Sequence, residues 1–187
     1  MGKTYTEIDL SLQAFVERQH LFFVATAPAG GEGHINCSPK GLDSLRILGP
    51  TTIAYVDYAG SGAETIAHLR ENGRIVIMLC AFEGPPKIVR FHGQGTVVEP
   101  GDTDFNELLS AFSAQPFGIR SIVRIDVERV SDSCGYGVPI LKFERDRTQL
   151  PAWAEKKGDE GLEEYKRRKN AESIDGIPTQ LKTQPLP

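Results

Sequence analysis

Residues 34–65 constrain the fold more tightly than any other stretch of this chain. His34, Asn36, Ser38 and Lys40 fall on one parity, and Ile35, Cys37 and Pro39 fall on the other. A strand with that pattern turns a polar row to one side and an apolar row toward a core. A second apolar strand then ends in Asp57-Tyr58 and passes through Ala59-Gly60-Ser61-Gly62-Ala63 straight into a helix. A helix entrance built of small residues offers unpaired backbone N–H groups to an anion. A cation and hydroxyls on one strand, beside such an entrance on the next, suit a phosphorylated planar cofactor, and among these a flavin.

The rest of the pattern predicts a mainly β fold. Ile8, Leu12, Phe15 and Val16 recur at helical spacing, so residues 7–19 form an opening amphipathic helix. Leu21 to Ala27 is an apolar strand, turned by Pro28-Ala29-Gly30-Gly31 into the strand over 33–39, a hairpin signal. Strands follow at 51–57, 74–82, 87–99 and 119–130, with helices at 63–72 and 104–112, and Gly73 is placed as a left-handed cap. Six strands interleaved with helices suggest an antiparallel barrel decorated by helices. From Gln149 the texture becomes that of a charged helix, followed by the tail Ser173-Ile174-Asp175-Gly176-Ile177-Pro178. Residues 1–147 are accordingly expected to form the barrel domain. Residues 148–187 form a helical extension that is ordered only by docking on the barrel or on a second subunit.

Composition narrows the partners. The 187 residues suffice for one substantial core. Twenty-one basic residues against 25 acidic ones give a formal charge of −4, with no electrostatic reason to seek nucleic acid or an anionic membrane. No stretch approaches the ~20 apolar residues of a membrane span. Cys37, Cys80 and Cys134 are far apart and without metal-ligand spacing, so reduced, mostly buried thiols in a cytoplasmic protein are expected.

Several residues admit two readings. Lys40 is either a turn lysine between Pro39 and Gly41 or the cation that favours a reduced, negatively charged flavin, with Asn36 and Ser38 on its strand face. Ser61-Gly62-Ala63-Glu64 is either a capping box or, with Thr65, a phosphate cradle. Arg74 and Arg90 are the best further cations for a phosphate. In the strand around residues 88–97, Ile88, Arg90, His92, Gln94 and Thr96 share one face, and Val89, Phe91 and Val97 the other. His20 and His68 read as helix-surface or helix-end residues. Trp153 either stacks on the cofactor or pins the tail.

The order of these pieces resembles the pyridoxamine 5′-phosphate oxidase-like superfamily of FMN-binding split-barrel proteins, over roughly residues 8–145. The resemblance rests on Asn36-Cys37-Ser38-Pro39-Lys40-Gly41, on Tyr55-Val56-Asp57-Tyr58 leading into Gly60-Ser61-Gly62, and on Ile88-Val89-Arg90-Phe91-His92-Gly93. It is closer to a branch marked by Gly-Ser-Gly-Asn-Glu-Thr before the helix, which reads Gly60-Ser61-Gly62-Ala63-Glu64-Thr65 here. The resemblance implies a six-stranded antiparallel split β-barrel, a homodimer, and FMN bound at its interface. Asn36, Ser38, Lys40, Val56 and Asp57 would lie around the ring, Ser61, Gly62 and Thr65 at the phosphate, and Arg74 and Arg90 as supporting cations. The oxidase's cationic phosphate clamp and its arginine–histidine substrate motif are missing. The expectation is therefore an FMN-dependent oxidoreductase on a small molecule that does not oxidise pyridoxamine 5′-phosphate. The alternative is a non-catalytic haem- or deazaflavin-binding module, with His34 and His92 as the only strand-borne axial candidates.

Overall fold

The computed structural model describes residues 2–113 and 118–182; the last five residues of the expected extension lie outside the described residues. A two-residue strand β1 (Thr4–Tyr5) precedes helix α1 (Leu10–Val16), which Asp9 caps by accepting from the Leu12 amide at 2.9 Å. Strands β2 (Phe22–Thr26) and β3 (Asn36–Lys40) form the predicted hairpin, pairing Phe22 with Lys40 and Thr26 with Asn36. Strands β4 (Leu45–Gly49) and β5 (Thr52–Tyr58) lead to helix α2 (Glu64–Asn72), strands β6 (Arg74–Cys80) and β7 (Ile88–Val98), and helix α3 (Phe105–Leu109). The long strand β8 (Ile119–Ser133) and helix α4 (Gln149–Lys169) complete the chain.

All eight strands join one antiparallel sheet in the order β3-β2-β6-β7-β8-β5-β4, with β1 added to the far end of β8. The sheet is two strands larger than the sequence predicts. β1 is too short to show a period, and β4 follows two consecutive left-handed residues, Leu42 and Asp43, that no glycine announces. Among the described residues β3 pairs only with β2 and β4 only with β5, so the sheet carries two edges and is not seen to close into a barrel.

The core lies on one face of the sheet, where Leu12, Phe15, Val24, Tyr55, Ile77 and Phe91 pack under α1 and α2. Burying each large apolar side chain is worth ~1.5–3 kcal/mol, which is why this face fixes the register of the strands that contribute to it. A smaller cluster of Ala54, Val56, Ile122, Val98 and Phe105 sits beneath α3 on the other face of β5. Two glycines let α2 dock. Gly73 ends the helix at φ +72°, and a Cβ on Gly95 would meet Leu69 at 2.8 Å.

The charged helix α4 breaks at Gly158, where φ is +62°. Trp153 pins it, packing with Ala59, Ala154 and Leu162 and meeting Tyr165 edge-on at 5.0 Å. The tail docks on the sheet of its own chain: Asn170 donates to the Gly60 carbonyl at 2.9 Å, and the Lys182 amide donates to Glu99 at 2.7 Å. Among the described residues no helix is long and apolar enough to cross a membrane. Of the three thiols only Cys80 is buried; Cys37 and Cys134 are exposed, because both lie at or beyond a sheet edge rather than under a helix.

Candidate functional site

The polar row of β3 faces the core, the reverse of the sequence expectation. Asn36, Ser38 and Lys40 lie opposite the buried Thr26, Val24 and Phe22, whereas Ile35, Cys37 and Pro39 point outward and are exposed. The reversal has a chemical reason, since each inward polar group finds a partner. Asn36 donates through Nδ2 to Thr26 Oγ1 at 3.2 Å and to Thr65 Oγ1 at 2.9 Å, and Ser38 donates to Asn36 Oδ1 at 2.9 Å. Thr26 Oγ1 in turn lies 3.0 Å from Nδ1 of His68. One amide side chain thus ties β3, β2 and α2 together. His68, read from sequence as a helix-surface residue, is fully buried, and burial lowers its pKa.

Lys40 reaches the base of β5. Its Nζ lies 2.9 Å from Asp57 Oδ1, and Arg120 grips Oδ2 through Nε at 2.8 Å and Nη2 at 2.7 Å. The Asp57 side chain is 2% exposed and Arg120 4%, while Lys40 keeps 24% of its surface open. Burial alone would raise the Asp57 carboxyl, but Arg120 and Lys40 outweigh it and hold the group below the ordinary aspartate range. Arg120 also donates through Nη1 to the Gly62 carbonyl at 2.8 Å, fixing the glycine turn to the sheet. Two cations against one carboxylate give this triad a formal charge of +1, which the Glu64 carboxylate beside Gly62 offsets.

Arg120 is the site residue that sequence reasoning missed. Its signal was a lone arginine in the run Ile119-Arg120-Ser121-Ile122-Val123, between flanks that read as a buried strand. Its placement depends on a register shift: Asp57 pairs with Ser121 but Tyr58 with Ile119, which leaves Arg120 as the extra residue beside Asp57.

The other predicted residues divide. Lys40, Val56 and Gly60 line one cavity of about 200 Å³, although Val56 leaves β5 on the face opposite Asp57. Ser61 and Gly62 are exposed at the mouth of α2. The capping box does not form: the helix is capped by Ala63 without a side-chain bond, so Glu64 is its first residue rather than its third. The Glu64 carboxylate instead lies over Gly62, where a Cβ would meet Oε2 at 2.5 Å.

Arg74 and Arg90 are not brought to this corner within one chain. Arg74 bonds Asn72 and the Pro28 carbonyl beyond the Asn36 end of the sheet. Arg90 faces the opposite side of the sheet, paired in register with Met78 and Ser131, and donates to Ser133 at 3.2 Å. His34 and His92 do not converge either. His34 is held by Asp175 of the tail at 2.6 Å, and His92 shares Arg90's face, where burial, Arg129 and Arg90 lower its pKa.

With this geometry fixed, the comparison with known proteins is decisive at the level of family: the pyridoxamine 5′-phosphate oxidase model matches residues 8–134. The chain belongs to the pyridoxamine 5′-phosphate oxidase family. A relative in that family, the pyridoxamine 5′-phosphate oxidase family protein ustO of Aspergillus flavus, is 39% identical over 190 residues, covering 93% of this chain and 76% of the relative. Solved structures share the fold. The HupZ protein of Group A Streptococcus superposes with a TM-score of 0.51 at 23% identity, over 66% of this chain and 91% of its own. A candidate pyridoxamine 5′-phosphate oxidase from Lactobacillus delbrueckii gives 0.51 at 19% identity, over 67% and 94%. The family match spans Lys40, Asp57, Gly62 and Arg120, so the whole cationic corner lies inside the family's region.

Proposed function

We propose that this chain is an FMN-binding flavoprotein, an oxidoreductase acting on a small molecule as a homodimer. The observation that carries the reading is the Lys40 ammonium, held by a buried Asp57–Arg120 pair at the wall of a cavity it shares with Gly60. The residues present fit the cofactor. Lys40 offers a part-exposed cation, and the first turn of α2 has no side-chain cap, so its backbone N–H groups are available to a phosphate. Lys40 would stand at the flavin ring and Ser61 and Gly62 at the phosphate. Asn36, Ser38 and Thr65 act mainly by fixing the strand and helix that carry these groups. When bound, FMN supplies the electron chemistry, and Lys40 favours whichever cofactor state carries more negative charge.

The same reading excludes pyridoxamine 5′-phosphate as substrate. Its doubly charged phosphate needs a dedicated cation cluster. Of the cations of α4, Lys166 pairs with Glu163 at 2.5 Å, and Lys157 lies over the rings of Trp153 and Tyr165. The dimer would use the outer face of the sheet. There the cross-strand rows Pro39–Phe23–Met78 and Cys37–Ala25–Val76 are apolar, and Ile35 beside them is 78% exposed.

Titration of the apoprotein with FMN, read by quenching of flavin fluorescence, tests the reading. Saturable binding of one FMN per chain is expected, with a dimer in sedimentation and no turnover of pyridoxamine 5′-phosphate. Absence of saturable FMN binding would overturn it.

A further inference from the structure

Another cavity plays no part in the ion cluster around Asp57. It has a volume of about 810 Å³, within the range of small-molecule sites, and lies where the end of α1, the β6–β7 hairpin and the extended segment 141–143 meet. Phe15, 5% exposed, and Ala81 form its floor, and Pro85, Pro86 and Leu141 its sides. The extended segment is fastened there: the Leu141 amide donates to the Phe82 carbonyl at 3.0 Å, and Phe143 stacks on His20 at 3.7 Å with 10° between the rings. The wall is therefore built by hydrogen bonding and stacking, and it presents flat surfaces.

The charges around this cavity are one-sided. Arg18, Lys87 and Lys142 line it against the single acid Glu83. Lys87 is engaged, over the Phe15 ring at 5.4 Å and 3.7 Å from Asp132, whereas Arg18 and Lys142 make no ion pair among the described residues. An apolar floor between flat walls, rimmed by two uncommitted cations, matches a planar hydrophobic body carrying a negative charge at one edge. The geometry points to a second small-molecule site, for an aromatic monocarboxylate or an anion of the same shape. A neutral ring would gain the apolar contact but not the rim, and an acidic peptide would gain the rim but not the floor.

The inference stands apart from the flavin reading, since Lys40, Asp57, Arg120 and Gly62 are not among the residues that line this cavity. It is tested on the full-length protein by isothermal titration with 1-naphthoate and with the neutral 1-naphthalenemethanol. Saturable binding of one naphthoate per chain is expected, with the alcohol at least ~10-fold weaker. In an Arg18→Glu/Lys142→Glu variant, naphthoate affinity should fall by ~10-fold or more, since both rim cations are replaced by acids. Both positions are exposed, and an unchanged thermal unfolding curve would show that the variant is folded. Phe143→Ala should weaken both compounds, because it removes a wall. No saturable naphthoate binding, equal binding of the alcohol, or an unaffected charge-reversal variant would each overturn the assignment.

Discussion

Strands β3 and β7 carry the same alternation of polar and apolar residues, and the fold uses it in opposite senses. On β7, Val89 and Phe91 enter the core while Arg90 and His92 face out. On β3, Asn36, Ser38 and Lys40 turn inward while Ile35, Cys37 and Pro39 face out. The difference is one of position. β7 is central and its inner face meets α2 and the apolar core, whereas β3 is an edge strand whose inner face meets Thr26, Thr65 and the ionic base of β5. Alternation therefore declares that a strand has two faces without declaring which one is buried.

The sharpest break of this comparison is Asp57→Ala. It leaves Arg120 buried without its carboxylate, an arrangement that typically costs ~3–5 kcal/mol. Urea unfolding should show that loss, and a change below ~0.5 kcal/mol would mean that the inward face of β3 is not anchored at β5. The ion pair also sets an acid limb. Because the Asp57 carboxyl is depressed in the folded protein, its stabilisation is complete above the unfolded value of ~3.9 and is lost as pH falls through the lower folded value. Stability curves taken below pH ~4 should therefore fall more steeply for the native chain than for Asp57→Asn.

Next in size is Lys40→Ala. If the inward row meets the flavin, FMN affinity should drop ten- to a hundred-fold, the ~1.5–3 kcal/mol of a charge-assisted contact. Asn36→Ala should cost ~1–3 kcal/mol in unfolding experiments, since it strands polar groups on β2 and α2, while the outward neighbour Cys37→Ser should stay within ~0.5 kcal/mol. Equal effects at these two adjacent positions would erase the sidedness of β3.

A smaller effect concerns pH near neutrality. The buried His68 has a lowered pKa, so the unfolded chain takes up a proton below ~6.5 that the folded chain refuses. Stability should decline as pH falls from ~6.5 toward the lower folded value, and His68→Gln should flatten that limb. The smallest effect belongs to the outward row of β7. Arg90→Ala should leave FMN affinity nearly unchanged, because Arg90 lies on the face of the sheet away from Lys40 and donates to Ser133. A loss matching that of Lys40→Ala would mean that a second copy brings Arg90 to the cofactor.

What the sequence determined was local and periodic. Apolar alternation placed β2, β5, β6, β7 and β8 to within a few residues, Gly73 ended α2, and Pro28 to Gly31 turned the first hairpin. Lys40 and the glycine turn could be singled out because a polar strand row and a small-residue helix entrance are local patterns, and Asp57 through the family resemblance. Tertiary structure decided the rest. Only the neighbours across the sheet could turn the polar row of β3 inward, because burial of a polar group depends on partners distant in sequence: Thr65 for Asn36, Asp57 for Lys40. Only a register shift in β8 could make Arg120 the third member of the ion cluster. Sequence spacing fixes which side chains share a face, and the long-range pairing of edges and bulges decides what that face meets.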